Sequence, residues 1–175
     1  RGKKAPFYQV IVEEKKLAPG AAMFNYASEL AGQTHLVIRA FADKDLDEVA
    51  AAAGEAFARF EKDGISPKDL DRIKAGQETQ FYNSLSSVLG KGVQLTQCNI
   101  FANDPGCIEK DIQGILAVTP ADVTRVYEKY IKGKNFVATS FVPKGKIGLA
   151  LEGSRKADVV EEKIVQGAED AVDPS

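Results

Sequence analysis

The spacing of apolar residues changes twice along this chain, and each change predicts a different kind of element. Phe7 to Glu14 alternates and is rich in β-formers, with Tyr8, Val10 and Val12 on one face and Phe7, Gln9 and Ile11 on the other, so it reads as a strand. Lys15 to Gly20 is a turn closed by Pro19-Gly20. Two further β runs follow, Ala22 to Leu30 and Thr34 to Ala42, joined by Ala31-Gly32-Gln33 as a hairpin. In the second arm Leu36, Ile38 and Ala40 share one face, while His35, Val37, Arg39 and Phe41 share the other. That second face is half polar, which suits a cleft, a partner or water.

From Asp45 onward the period becomes helical. Asp45 opens a helix with Glu48 three residues on, and Leu46, Val49, Ala50, Ala53, Phe57 and Phe60 form its apolar stripe until Asp63-Gly64. Ser66-Pro67-Lys68-Asp69 starts a second, long helix carrying Leu70, Ile73, Phe81 and Leu85, with Gly90 and Gly92 predicted to bend or interrupt it before Val93 to Phe101 resumes. Asp104-Pro105-Gly106 begins a short helix with Ile108, Ile112, Ile115 and Leu116. Thr119-Pro120-Ala121-Asp122 then supplies an N-cap, a proline at the first helical position and a carboxylate at the helix's positive end. The stripe Val123, Val126, Tyr127, Tyr130 and Ile131 runs to a stop at Gly133, and Phe136 to Val142 reads as a returning strand. Past Pro143 the texture is polar, with Ile147 to Leu151 the one candidate for a short edge strand. Strands segregated from a helical layer predict an α+β fold, an antiparallel sheet of about four strands with helices packed on one face. The expected division is an α+β domain over residues 1–146 and a polar tail or inter-domain linker over 147–175.

Composition narrows the function. In 175 residues, 23 Lys and Arg against 25 Asp and Glu leave a net charge of −2 with no basic block, which argues against nucleic-acid binding. No apolar run approaches a membrane span. The chain opens at Arg1 rather than Met and is read as a processed product or a piece of a longer protein, so its compartment is not legible. Cys98 and Cys107 lack the paired spacing of a zinc knuckle. They fall at a helical core position and near a helix start, and are read as two thiols packed as small hydrophobes; a disulfide fits the spacing but is not required by it.

Three stretches in register carry a resemblance: Phe7-Tyr8 opening the first strand, "DGISPKDLDRIKAGQ", and "AVTPADVTRVYEKYI" followed by a strand running to Val142-Pro143. Together they resemble the non-catalytic, C-terminal half-domain of the pitrilysin/insulinase-type zinc peptidases, a processing-peptidase-like family, over about residues 1–146. The resemblance implies that family's metallohydrolase fold, peptide or protein substrates, and a zinc-binding half-domain of the parent as partner. It also implies substrate-binding residues. An Arg and a Tyr seven positions apart help hold the substrate backbone in one of the family's repeats, and Arg1 and Tyr8 stand at that spacing. A bacterial periplasm or cell envelope is the setting the family suggests.

The family's chemistry needs a His-x-x-Glu-His helix and a later Glu, so that two imidazoles one turn apart share a metal and a water holds the open position. This chain has one histidine, so it cannot assemble that site. No catalytic residue and no metal ligand is therefore assigned to it, and zinc is expected only in the parent. His35 is given no role, because a solitary histidine is more often an ordinary half-buried residue. Two function classes remain: a non-catalytic chamber domain of a zinc endopeptidase, or a catalytically dead structural and assembly module of the same fold.

Overall fold

Val10 and Ile11 are consecutive, yet both are fully buried. A strand would send them to opposite faces. In the computed structural model, which describes residues 2–156, they lie instead in a π-helical turn, Tyr8–Glu14, that sets both against one helix. The expectation of a first strand is thus corrected. Both faces of Phe7 to Glu14 carry apolar residues, and a short run of that kind does not distinguish a strand from a buried helical turn.

The predicted hairpin forms. β1 (Ala21–Ala27) and β2 (Gly32–Ile38) pair antiparallel, with Ala21 opposite Ile38, Met23 opposite Leu36 and Phe24 opposite His35. The connection is Ser28 to Ala31, closed by Ser28 N–H donating to the Ala31 carbonyl at 2.9 Å, so the turn falls earlier than expected and Gly32 belongs to the strand. A Cβ there would meet the Tyr26 carbonyl oxygen at 3.1 Å. Glycine lets the two strands meet at the hairpin's mouth.

α1 (Leu46–Asp63) begins at Asp45, whose carboxylate accepts the Asp47 N–H at 2.9 Å, and ends at Gly64 with φ +66°. Its stripe of Val49, Ala52, Ala53 and Ala56 packs on Val10, Ile11, Leu17 and Ala18. Leu36, Ile38 and Ala40 join from the side of the hairpin, bearing out the face assigned to them. Fully burying Val10, Ile11 and Leu17 is worth about 1.5–3 kcal/mol each. Outside the core, Arg59 of α1 donates to both carboxylate oxygens of Glu14 at 2.6 and 2.8 Å, and this bond holds the Glu14 carboxyl below its ordinary titration range.

The remaining helices are α2 (Pro67–Ser84), α3 (Val88–Ala102), α4 (Cys107–Ala117) and α5 (Pro120–Tyr130). Their starts are written locally. Ser66, Ser87 and Thr119 each accept the backbone N–H three residues on, and at α5 the Asp122 carboxylate returns the bond to the Thr119 N–H, completing a capping box. The break in the long second helix comes at Leu85 to Ser87, ahead of Gly90 and Gly92, both of which lie inside α3. Gly90 is there because a Cβ would fall 1.8 Å from the Ser84 carbonyl oxygen at the end of α2, whereas around Gly92 there is open space.

α5 docks on α1 through one residue. The Tyr127 ring meets Phe60 edge-on at 5.0 Å and its hydroxyl donates to Glu61 at 2.8 Å, while Lys132 pairs with the other Glu61 oxygen at 3.0 Å. Val126 and Tyr130, expected on the same buried face, are exposed.

Among the described residues the sheet has two strands, not four. Residues 136–142 form no regular element and pair with no strand, and Ile147–Leu149 is a 3-10 turn rather than an edge strand. β propensity is present in both segments; a partner ladder is not, and propensity does not make a strand alone. The architecture remains α+β. The expected tail lies mostly at 157–175, outside the described residues.

Two outcomes follow. Gly90→Ala destabilises the chain by about 1–3 kcal/mol by forcing the α2–α3 elbow apart, while Gly92→Ala stabilises it by about 0.5–1 kcal/mol, read as opposite shifts of the urea midpoint. For Tyr127, burial and then the Glu61 carboxylate push the phenol from 10.0 up to about 12. The fold therefore favours the protonated phenol, a contribution intact below pH 10 and lost as pH climbs through about 12. Stability measured across that window falls less steeply in Tyr127→Phe than in the parent chain; equal slopes would disprove the coupling.

Candidate functional site

The hairpin's two faces differ in chemistry because side chains alternate along each strand. Ala21, Met23, Leu36 and Ile38 are half-buried toward the core. On the opposite face Phe24, Tyr26 and His35 form an aromatic cluster: the Phe24 ring stacks on the His35 ring at 5.6 Å and 8°, and Tyr26 stands edge-on to both, 5.3 Å from Phe24 and 5.4 Å from His35. Their order follows from register, Phe24 being directly opposite His35 and Tyr26 opposite Gln33. His35 Nε2 lies 3.1 Å from Gln33 Oε1, and Thr34 Oγ1 donates to Asn25 Oδ1 at 3.1 Å across the strands.

This face is open. Tyr26 is 64% exposed, and Gln33 opposite it and Val37 beyond His35 are also exposed. With only two strands in the sheet, both outer edges lack a neighbouring strand among the described residues. Such a surface offers aromatic planes, a few hydrogen-bonding side chains and free backbone groups, the means by which an extended peptide can be held by strand addition. Nothing in the cluster is arranged as a nucleophile with a base.

Of the residues expected to bind substrate, Tyr8 is half-buried as the first residue of the π-helical turn, and Arg1 lies outside the described residues. The pairing of Arg1 with Tyr8 thus falls outside the described residues. His35, given no role from the sequence, sits at the centre of the exposed aromatic face. The signal was present in the alternation of Phe24 and Tyr26, but only the register shows that they surround the histidine.

A family model described as the peptidase M16 inactive domain matches residues 1–77. The match supports a non-catalytic, C-terminal half of an M16-peptidase-like protein. No curated protein matches the chain. The M16 match spans the π-helical turn, the hairpin, α1 and the first part of α2, and so takes in every member of the core cluster around Val10 and Ile11. It ends before α3, so the "AVTPADVTRVYEKYI" resemblance lies beyond it.

The zinc chemistry of such peptidases does not fit the residues of this chain. Its single imidazole, His35, has Phe24, Tyr26 and Gln33 as neighbours, with no second histidine or carboxylate in the cluster. A chain of the inactive type is consistent with that donor set. Among the described residues, no helix is long and apolar enough to cross a membrane.

The aromatic cluster makes a prediction about the hairpin itself. Phe24→Ala, which removes both ring contacts, destabilises the chain by about 0.5–1.5 kcal/mol, whereas Tyr26→Ala at the open rim changes stability by about half that or less. Chemical denaturation of the two variants checks the ordering.

Proposed function

We propose that this chain is a non-catalytic, substrate-chamber domain of a zinc-dependent metalloendopeptidase, binding an extended peptide on the hairpin while a separate zinc-bearing half-domain of the parent carries out hydrolysis. The observation that carries the reading is the M16 inactive-domain match over the core-forming residues of a chain with a single histidine. The open sheet edges and the aromatic face of Phe24, Tyr26 and His35 support a peptide ligand. Tyr8, and Arg1 upstream of it, are proposed to contact the peptide backbone, and residues 1–146 to act as the functional unit within a processing-peptidase-like fold.

Large apolar side chains left in solvent support a partner half-domain. Leu89 on α3 is 78% exposed, and Phe136 and Phe141 in the segment after α5 are 86% and 89% exposed. Apolar surface on that scale is characteristic of an interface.

Titrating the isotope-labelled chain with an extended peptide is expected to shift backbone amides of β1, β2 and the region of Tyr8, and to leave the peptide uncut. Chelator-sensitive cleavage by this chain alone would refute the reading. A lack of any shift in a folded chain would favour the assembly-module alternative.

A further inference from the structure

The junction of α3 and α4 holds a group of donors that the peptidase reading does not use. Cys98 lies in the last turns of α3 and Cys107 is the first residue of α4; the structure joins them as a disulfide, which corrects the expectation of two free thiols. Asp111 stands one helical turn beyond Cys107 on the same face of α4, its Oδ2 3.7 Å from the Cys107 sulfur. The two sulfurs and a carboxylate oxygen of Asp111 all lie within 4.8 Å of one another.

The turn that brings them together carries hydrogen bonds of its own. Asn103 closes α3 in the left-handed conformation at φ +50°, and its N–H donates to the Asn99 carbonyl at 3.1 Å. Asp104 accepts the Gly106 N–H at 2.9 Å and the Lys110 ammonium at 2.8 Å, and Cys107 N–H donates to the Asp104 carbonyl at 3.0 Å. These bonds belong to the turn itself and are separate from the covalent link. Lys110, the nearest cation on α4, is thereby paired with Asp104 rather than left beside the sulfurs.

We propose that reduction of the Cys98–Cys107 disulfide by a dithiol turns this junction into a site for one soft divalent cation of the zinc class, with both thiolates and the Asp111 carboxylate as ligands. The exchange balances. The reductant's two thiols become its disulfide, the Cys98–Cys107 bond becomes two thiols, and metal binding then releases a proton from each. Thiolate and carboxylate donors together select zinc or cobalt over magnesium or calcium, whose ligands are oxygens. Three protein ligands leave a fourth position. The gradient from buried Cys98 through half-buried Cys107 to exposed Asp111 places it on the solvent side, where water completes the tetrahedron. In the oxidised chain the sulfurs are bonded to each other and the site does not exist, so metal occupancy reports redox state. The site is independent of the hairpin and of peptide binding.

The test uses the full chain, reduced with a dithiol that is then removed without air, and titrated with cobalt(II) alone. The expected result is a thiolate-to-cobalt charge-transfer band saturating at one cobalt per chain, displaced by zinc, and absent from the oxidised chain. Cys98→Ser and Cys107→Ser each abolish the band. Asp111→Asn weakens zinc binding by about tenfold or more through loss of a charged ligand, while Glu109→Gln, exposed on the same helix, leaves it unchanged. Circular dichroism confirms that each variant keeps its helices. A reduced chain without the band, saturation at one cobalt per two chains, or unchanged affinity in Asp111→Asn overturns the proposal.

Discussion

The seating of two adjacent residues, Val10 and Ile11, on the small-residue stripe of α1 is the contact on which the rest of this structure depends. Ala52, Ala53 and Ala56 present almost no side-chain bulk, so the helix can lie close to the π-helical turn and bury both branched side chains at once. That burial positions Leu17 and Ala18, and the Leu17 carbonyl accepts the Phe41 N–H at 2.9 Å, tying the chain leaving β2 back to the same core. A larger residue on the alanine stripe would lift the turn and loosen the hairpin with it. The polar bond between Arg59 and Glu14 lies at the rim of this contact and orients it; the apolar burial provides the stability.

The helix starts were legible because their causes are local. Asp45, Ser66 and Thr119 could be named as caps from the sequence, and each accepts the backbone bond expected of it. The elements that differ are those whose state depends on distant residues. Phe7 to Glu14 is apolar on both faces, and whether it extends or coils is decided by the fit to α1, a contact across some forty positions of sequence. Residues 136–142 have the composition of a strand, but a ladder needs a second chain segment and no local signal supplies it. The helix break at Leu85 to Ser87 was misplaced for a related reason: Gly90 looked like the cause of an interruption, whereas it permits the close approach of two helices already separated.

The site was legible in kind rather than in detail. Alternation alone separated the apolar face of β2 from the half-polar face carrying His35, and the structure keeps that division. It took the register to reveal that Phe24 and Tyr26 gather around the histidine, since one residue of slip would send them to the other side. The cysteines show the opposite limit. Their positions on α3 and α4 followed from periodicity, but their bonding depends on the angle at which the helices meet, and that angle is set by Asn103 and Asp104 in the intervening turn.

The distribution of burial bears on how a domain of this kind works. The contiguous core lies wholly within residues 1–77, the part that matches the M16 inactive domain, while α3 and residues 136–142 keep large apolar groups in solvent. A helix that is apolar around much of its circumference has no stable resting place on a water-facing surface, because each uncovered side chain forgoes the burial that would otherwise hold it. α3 carries Val88, Leu89, Ile100 and Phe101 in that state. Its own ends are well formed, with a Ser87 cap and an Asn103 stop, so the helix itself does not require the missing contacts; only its packing does. The helix is therefore encoded locally, independently of how its apolar side chains are covered. Among the described residues, the contiguous core thus closes around the π-helical turn, the hairpin and α1, while the apolar side chains of α3 stay uncovered.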